Sequence, residues 1–318
     1  MSDDSTVTNQ ASGDEAPEGR AYTTYELTAH ALAALRAALQ AGAEILAVYN
    51  GEFEVQQKAD RTPLTEADLR AQRRIHEILE QHDPEVPFLG EESADIPYDR
   101  RELWDRYWLV DPLDGTKEFV KRNGEFTVNI AYVSATDGPG DPLVGVVYAP
   151  VLSRAYLGVV GKGAYRLDNL PPGAAAPRSW DELVATARAL QPAGPAEERS
   201  AEERAPAEQR SPERPFTVVA SRSHMSAETE AFVEEVRAEH PDLELVSAGS
   251  ALKMCLVAEG AADLYPRFAP TMEWDTGAGH AVCRAAGAEV VAWPAAEELV
   301  YNKPELVNPW FLVRSRRS

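Results

Sequence analysis

The sequence predicts an α+β fold in which sheets and helices stack in layers, rather than a doubly wound parallel sheet. Three observations carry this. Between Thr24 and about Gln81 the chain reads as two helices, the stretch from Pro84 to Tyr165 reads as short strands and turns, and a second, mixed αβ unit opens at Phe216. Elements in blocks of one kind favour layered helices and sheets, whereas strict alternation of strand and helix favours a parallel sheet.

The elements follow in chain order. Residues 1–23 are polar and acidic with Gly and Pro, which predicts a disordered tail. A helix from about Thr24 to Tyr49 follows from Leu32, Leu35, Leu39, Leu46 and Tyr49 at helical spacing. A second helix runs from Thr65 to about Gln81 with Leu69, Ile75, Ile78 and Leu79 as its apolar residues. Val86–Leu89, Tyr107–Val110 and Phe126–Ser134 read as strands, and Val144–Ala149 with Ala155–Val160 as an antiparallel pair turning at Pro150. Residues 171–214 are rich in Ala, Pro, Glu and Arg and read as a low-complexity surface insertion, apart from a short helix within Trp180–Leu190. The insertion separates an N-terminal subdomain, 24–170, from a C-terminal one, 215–318. In the latter, Phe216–Ala220, Glu244–Ser247, Asp263–Tyr265, Glu289–Trp293 and Phe311–Val313 read as strands. Glu228–Glu239, Leu252–Glu259 and a segment from Trp274 through Ala285 read as helices.

Composition narrows the function. The net charge of the 318 residues is −21, which argues against a basic groove for a nucleic-acid polymer. A nucleotide remains open, because bound cations and a few Arg or Lys can reverse the field in one pocket. The acidity fits a well-solvated surface with acidic tails, and equally adaptation to high salt. Two cysteines outside any CxxC pair, both in apolar segments, predict core packing in a reducing compartment. No run is expected to approach membrane-spanning length, so the chain is placed in the cytoplasm with at most a peripheral membrane contact.

The chemistry concentrates at Asp111-Pro112-Leu113-Asp114-Gly115-Thr116. The apolar run Tyr107–Val110 predicts that both carboxylates emerge where a buried strand stops, beside a Pro-stiffened turn and a Gly that lets backbone approach a ligand. Glu91, Asp111, Asp114 and Asp275 all stand at ends of elements. Brought within roughly 6 Å, each pair would repel by about 3 kcal/mol at an effective dielectric near 20, so such a cluster either raises its pKa values or binds cations. Hard oxygens without Cys or His favour Mg²⁺ over Zn²⁺. For a single aspartate, capping a helix or turn is the ordinary role. Asp68, in Thr65-Glu66-Ala67-Asp68, reads alone as part of a capping box, and becomes catalytic only if it meets Thr116 in space. Asp275-Thr276-Gly277-Ala278-Gly279 lacks the glycine spacing and lysine of a nucleotide loop and reads as a helix start. His224 and Arg267, after strands, are by default surface residues.

Together these motifs resemble the lithium-sensitive, magnesium-dependent phosphatases of the inositol monophosphatase superfamily. The signatures are Gly90-Glu91-Glu92-Ser93, Trp108-Leu109-Val110-Asp111-Pro112-Leu113-Asp114-Gly115-Thr116 and Trp274-Asp275-Thr276-Gly277-Ala278-Gly279-His280. Lys117 through Asn129, Gly249 through Lys253 and Leu264 through Phe268 are similar to the 3'(2'),5'-bisphosphate nucleotidases of the CysQ type. The resemblance implies an α/β/α/β/α sandwich of the inositol monophosphatase and sugar phosphatase type. It implies two or three Mg²⁺ ions held by Glu91, Asp111, the Leu113 carbonyl, Asp114 and Asp275. Asp68 and Thr116, together with Glu91, would position the attacking water, and the Gly115 and Thr116 N–H groups would hold the phosphate. His224, Ser250, Lys253 and Arg267 would hold the nucleotide. Ala251 departs from a more usual serine, and the 171–214 insertion is long for the family. The implied reaction is hydrolysis of the 3'-phosphate of adenosine 3',5'-bisphosphate to AMP and phosphate, with the sulfated relative as a second substrate. An inositol phosphatase or a sugar bisphosphatase of the same architecture is the alternative. The expected assembly is a monomer or homodimer.

Overall fold

A computed structural model describes residues 22–51, 55–57, 63–135, 140–191, 214–220 and 225–315. The predicted acidic tail lies outside these residues apart from its last two. Along the chain run α1 (Thr24–Tyr49), β1 (Val55–Gln57), β2 (Pro63–Thr65), α2 (Glu66–His82), β3 (Phe88–Gly90), a 3₁₀ turn (Glu91–Ser93) and α3 (Tyr98–Arg101). Next come β4 (Arg106–Asp114), α4 (Thr116–Val120), β5 (Thr127–Ser134), β6 (Asp141–Ala149), β7 (Arg154–Val159), β8 (Gly163–Leu167), α5 (Trp180–Thr186) and β9 (Arg188–Ala189). The second half holds β10 (Thr217–Ala220), α6 (Ala227–Glu239), β11 (Glu244–Ser247), α7 (Leu252–Ala258), β12 (Leu264–Arg267), α8 (Glu273–Ala286), β13 (Glu289–Ala292) and β14 (Phe311–Arg314).

β3 through β9 form one seven-stranded sheet in sequence order, parallel only between β3 and β4. The second sheet has the order β11-β10-β12-β14-β13. Alternation along β4 explains how the layers join. Trp108 and Val110 pack towards α1 and α2, while Tyr107 and Leu109 pack towards α7 and α8. A strand buried on both faces therefore reads as one apolar run. A further core under α6 is formed by residues such as Val218, Val233 and Leu312. The order of layers is α1/α2, large sheet, α7/α8, small sheet, α6, as the α/β/α/β/α expectation required.

Three sequence expectations are corrected here. The buried stripe of α1 is built mainly from Ala31, Ala34, Ala38 and Ala41 with Leu35, Leu39 and Ile45; Leu32, Leu46 and Tyr49 are only partly buried. Small residues let α2 and β6 approach closely. The helix is also long and apolar enough to span a membrane, contrary to the expectation that no run would be, and it places most of that apolar surface inside the protein. Finally, the first part of the 171–214 segment is structured. Ser179 caps α5, and β9 adds an edge strand to β8. Residues 192–213 lie outside the described residues.

α8 lies against the large sheet at Gly145, where a Cβ would collide with the Ala278 carbonyl oxygen. Because backbone cannot yield as a side chain can, Gly145→Ala is expected to destabilise the protein by about 1–3 kcal/mol in urea titration. On the opposite face, His30 stacks on Tyr132 and its Nδ1 lies 3.0 Å from Nε2 of His82. Burial, then His82, pushes His30 down to about 4. The unfolded chain thus takes up a proton near pH 6.5 that the folded chain refuses until about pH 4, so stability present above 6.5 is lost as pH falls through that window. His30→Gln is expected to flatten this acid limb in urea titrations from pH 7 to pH 4.

Candidate active site

A cavity of about 360 Å³ opens between the two halves of the chain, a volume in the range of small-molecule sites. Its lining includes Glu91, Asp111, Leu113, Asp114, Gly115 and Thr116 from one half, and Ser250, Lys253, Arg267 and Asp275 from the other. Of the residues expected to act, Asp68 is buried on the first turn of α2 and does not line the cavity, but it is close enough to raise the Asp111 carboxyl. His224 lies outside the described residues, as do the Thr65 side chain and its proposed cap.

The aspartate turn is not the loop after a strand. β4 continues through Asp114, with Asp111 opposite Asn129 and Asp114 opposite Thr127, so one extra residue is accommodated between them. Pro112 has no N–H to give to a ladder, which favours an irregularity here. Leu113 buries its side chain in the core, so only its backbone is left to serve the cavity. Gly115 follows at φ 96°, and a Cβ there would collide with Oγ of Ser250.

Each aspartate is fixed by one oxygen. Oδ1 of Asp111 accepts from the Leu113 N–H at 3.0 Å. Oδ2 of Asp114 accepts from the Ala251 N–H at 2.7 Å and from Nδ2 of Asn129 at 3.2 Å. Asp275, in the first turn of α8, accepts the Met272 N–H on Oδ2 at 2.9 Å. Among the described residues, no three His, Cys, Asp or Glu side chains are drawn up as a finished ligand set. The carboxylates share a cavity rather than a point, as mutual repulsion and these backbone anchors require.

The electrostatics follow from burial and crowding. Burial, then Glu91, Asp114, Asp275 and Asp68, raises Asp111 well above the usual carboxylate range. Burial and Asp114 push Asp275 up to about 7. Asp114 is raised by burial but held back by Lys253 and its hydrogen bonds. Such a donor set fits a hard divalent cation. Among the described residues the lining holds no imidazole or thiol, and Cys255 and Cys283 are buried elsewhere in the core.

The second half presents the cations less directly than expected. Nζ of Lys253 donates to the Ser250 carbonyl at 2.8 Å, and burial lowers its pKa to about 8. The Ser250 hydroxyl is turned towards the carbonyls of Asp114 and Glu125, at 2.8 and 2.9 Å, so it braces the aspartate turn rather than offering itself to a ligand. Arg267 and Lys117 complete the basic side of the lining.

Sequence reasoning gave Asn129 no role. It is fully buried, and Thr127 Oγ1 donates to its Oδ1 at 2.9 Å, which aims Nδ2 at Asp114. The available signal was a polar pair in an otherwise apolar strand. Asn308 was invisible, because its contacts with Thr271, Met272 and Thr276 join segments far apart in sequence.

A family model, the inositol monophosphatase family, matches residues 26–312, nearly the whole chain. The chain belongs to the inositol monophosphatase family. The 3'(2'),5'-bisphosphate nucleotidase CysQ of Escherichia coli K12 is 43% identical over 87% of this chain and 96% of its own length. A crystal structure of CysQ from Bacteroides thetaiotaomicron superimposes with a TM-score of 0.77 at 42% identity, covering 92% of this chain and 98% of the other. The suhB protein of Bartonella henselae shares the fold alone, with a TM-score of 0.64 at 21% identity over 89% of this chain and 92% of its own.

Asn129→Ala removes one of the two donors that orient the Asp114 carboxylate, leaving only the Ala251 N–H. It is expected to weaken divalent-cation binding in calorimetry by about 10–100-fold, the usual effect of removing the partner that orients a ligand.

Proposed function

We propose that this chain is a Mg²⁺-dependent 3'(2'),5'-bisphosphate nucleotidase. It hydrolyses the 3'-phosphate of adenosine 3',5'-bisphosphate to AMP and phosphate, and accepts the sulfated relative. One observation carries the reading. A cavity walled by Glu91, Asp111, Asp114 and Asp275 on one side and by Lys117, Lys253 and Arg267 on the other occurs in a chain 43% identical to a bisphosphate nucleotidase along nearly all of that protein's length. Identity to the inositol monophosphatase structures is about half as high, at 21%. The cytoplasm, with at most a peripheral membrane contact, is the proposed setting.

In this reading Glu91, Asp111, Asp114, Asp275 and the Leu113 carbonyl hold two or three Mg²⁺ ions. When bound, the ions supply positive charge to the phosphate oxygens and to the departing 3'-oxygen. The protein's own residues do the rest. Gly115 and Thr116 present backbone N–H groups to the phosphate, and Lys253 and Arg267, with His224, hold the nucleotide. Ser250 supports them from beneath by fixing the turn. Asp68 takes the Thr116 hydroxyl proton, so that Oγ1 of Thr116 accepts a proton from the attacking water. The new bond joins water oxygen to phosphorus, the phosphorus–O3' bond breaks, and O3' leaves as an oxyanion that takes its proton from solvent, while the proton from the attacking water stays with the Thr116–Asp68 pair until it is returned to solvent. Such a transfer needs positioning and charge stabilisation more than covalent help.

Phosphate release measured in parallel on adenosine 3',5'-bisphosphate, inositol 1-phosphate and fructose 1,6-bisphosphate tests the substrate. The highest kcat/KM is expected for the nucleotide, and only with Mg²⁺ present. Asp111→Asn is expected to lower kcat by at least about 100-fold. It should leave the melting temperature of the metal-free protein equal or higher, because one repelling carboxylate is gone. Turnover by this variant at the wild-type rate in millimolar Mg²⁺ contradicts the metal assignment.

A further inference from the structure

One peptide bond stands between a buried ammonium and a cavity aspartate. The carbonyl of Ser250 accepts from Nζ of Lys253 at 2.8 Å. The N–H of the same peptide, on Ala251, donates to Oδ2 of Asp114 at 2.7 Å. This peptide is trans, hence planar, and its C=O and N–H point in opposite directions. Lys253 and Asp114 therefore grip one rigid plate from opposite sides.

Lys253 is 5% exposed. Beyond Ser250, its Nζ lies 3.4 Å from the Ala248 carbonyl oxygen and 5.6 Å from the centre of the Tyr265 ring. Burying an ammonium costs free energy, and an apolar side chain would fill the same volume without that cost. What the ammonium gains is the hydrogen bond to the Ser250 carbonyl and the attraction of Asp114.

The backbone it holds is unusual. Ser250 has φ 51°, in the left-handed region that a few per cent of non-glycine residues adopt. A Cβ on Gly249 would collide with the Glu125 carbonyl oxygen, and one on Gly115 with Oγ of Ser250. The two turns thus interlock at backbone distance. Within that contact, the tilt of the Ser250–Ala251 peptide decides where the Ala251 N–H points. A cation on the carbonyl oxygen also polarises the amide, which makes its N–H a stronger donor.

We propose that Lys253 is a positioning residue: through the Ser250–Ala251 peptide it fixes and strengthens the hydrogen bond that orients the Asp114 carboxylate. The inference rests on the reading of Asp114 as a cation ligand, and is separate from any contact of Lys253 with the nucleotide. Its sign distinguishes it from the effect of a bare charge. Removing a cation beside a cation site by itself tightens Mg²⁺ binding, since less positive charge opposes the incoming ion. This holds even if the ion displaces a carboxyl proton, because net positive charge still enters. Loss of positioning weakens binding instead.

The test uses the full-length protein without nucleotide at pH 7, where burial lowers the amine only to about 8 and the ammonium form prevails. Mg²⁺ affinity is measured by calorimetry in the wild type, Lys253→Met and Lys253→Gln. Methionine fills nearly the same space with neither donor nor charge, while glutamine keeps a donor without the charge. Lys253→Met is expected to bind Mg²⁺ at least about fivefold more weakly than the wild type, with Lys253→Gln between the two. The second readout is the Ala251 amide proton, followed by NMR in the metal-free protein. A stronger hydrogen bond moves an amide proton downfield, so the wild-type resonance is expected downfield of its position in Lys253→Met. Wild-type or tighter affinity in Lys253→Met, or an Ala251 resonance unchanged between the two proteins, overturns the proposal. If phosphate release from the nucleotide fails while these differences persist, the substrate reading is wrong and the positioning role stands. Wild-type protein that binds no Mg²⁺ overturns both.

Discussion

The repulsion among buried carboxylates governs this molecule. Asp111 sits almost fully buried with Glu91, Asp114, Asp275 and Asp68 around it, and all of these act to keep it protonated. Folding forces the charges together and leaves the cost standing unless protons or cations come in. The cluster is therefore a site of stored unfavourable energy, and a hard dication is the species that relieves it.

The architecture can be understood as what holds those charges in place. Glu91, Asp111 and Asp114 come from the end of the large sheet, and Asp275 comes from a helix pressed between the two sheets. Gly145 allows that helix to seat against the sheet. The Ser250–Ala251 turn clamps Asp114 from the other half, through one side-chain and one backbone donor. Asp111, Asp114 and Asp275 each line the cavity while giving one oxygen to a hydrogen bond from the protein.

Much of this was legible in the sequence. The apolar run 107–110 announced a strand buried on both faces, and the aspartates beside it announced the site. α1 and β11 begin and end where periodicity placed them. What was not legible depended on contacts between distant segments. The sequence suggested leucines as the inner face of α1, while close packing against α2 and β6 selected alanines instead. It suggested that a strand stopped at Val110, while pairing with β5 carries it on to Asp114. Ser250 looked like a ligand contact, and only its distance to the Asp114 carbonyl reveals a brace. The five-layer architecture came from the resemblance of the motifs to a known family. Composition supplied neither the number of layers nor the pairing of Asp275 with Asp111 across 164 positions of sequence.

Anomalous diffraction from crystals soaked in Mn²⁺, a hard dication that stands in for Mg²⁺, tests the central claim most directly. The account predicts anomalous density in the cavity, within ligand distance of Asp111, Asp114 and Asp275 at once. A cavity without density, or density confined to surface carboxylates, would contradict it.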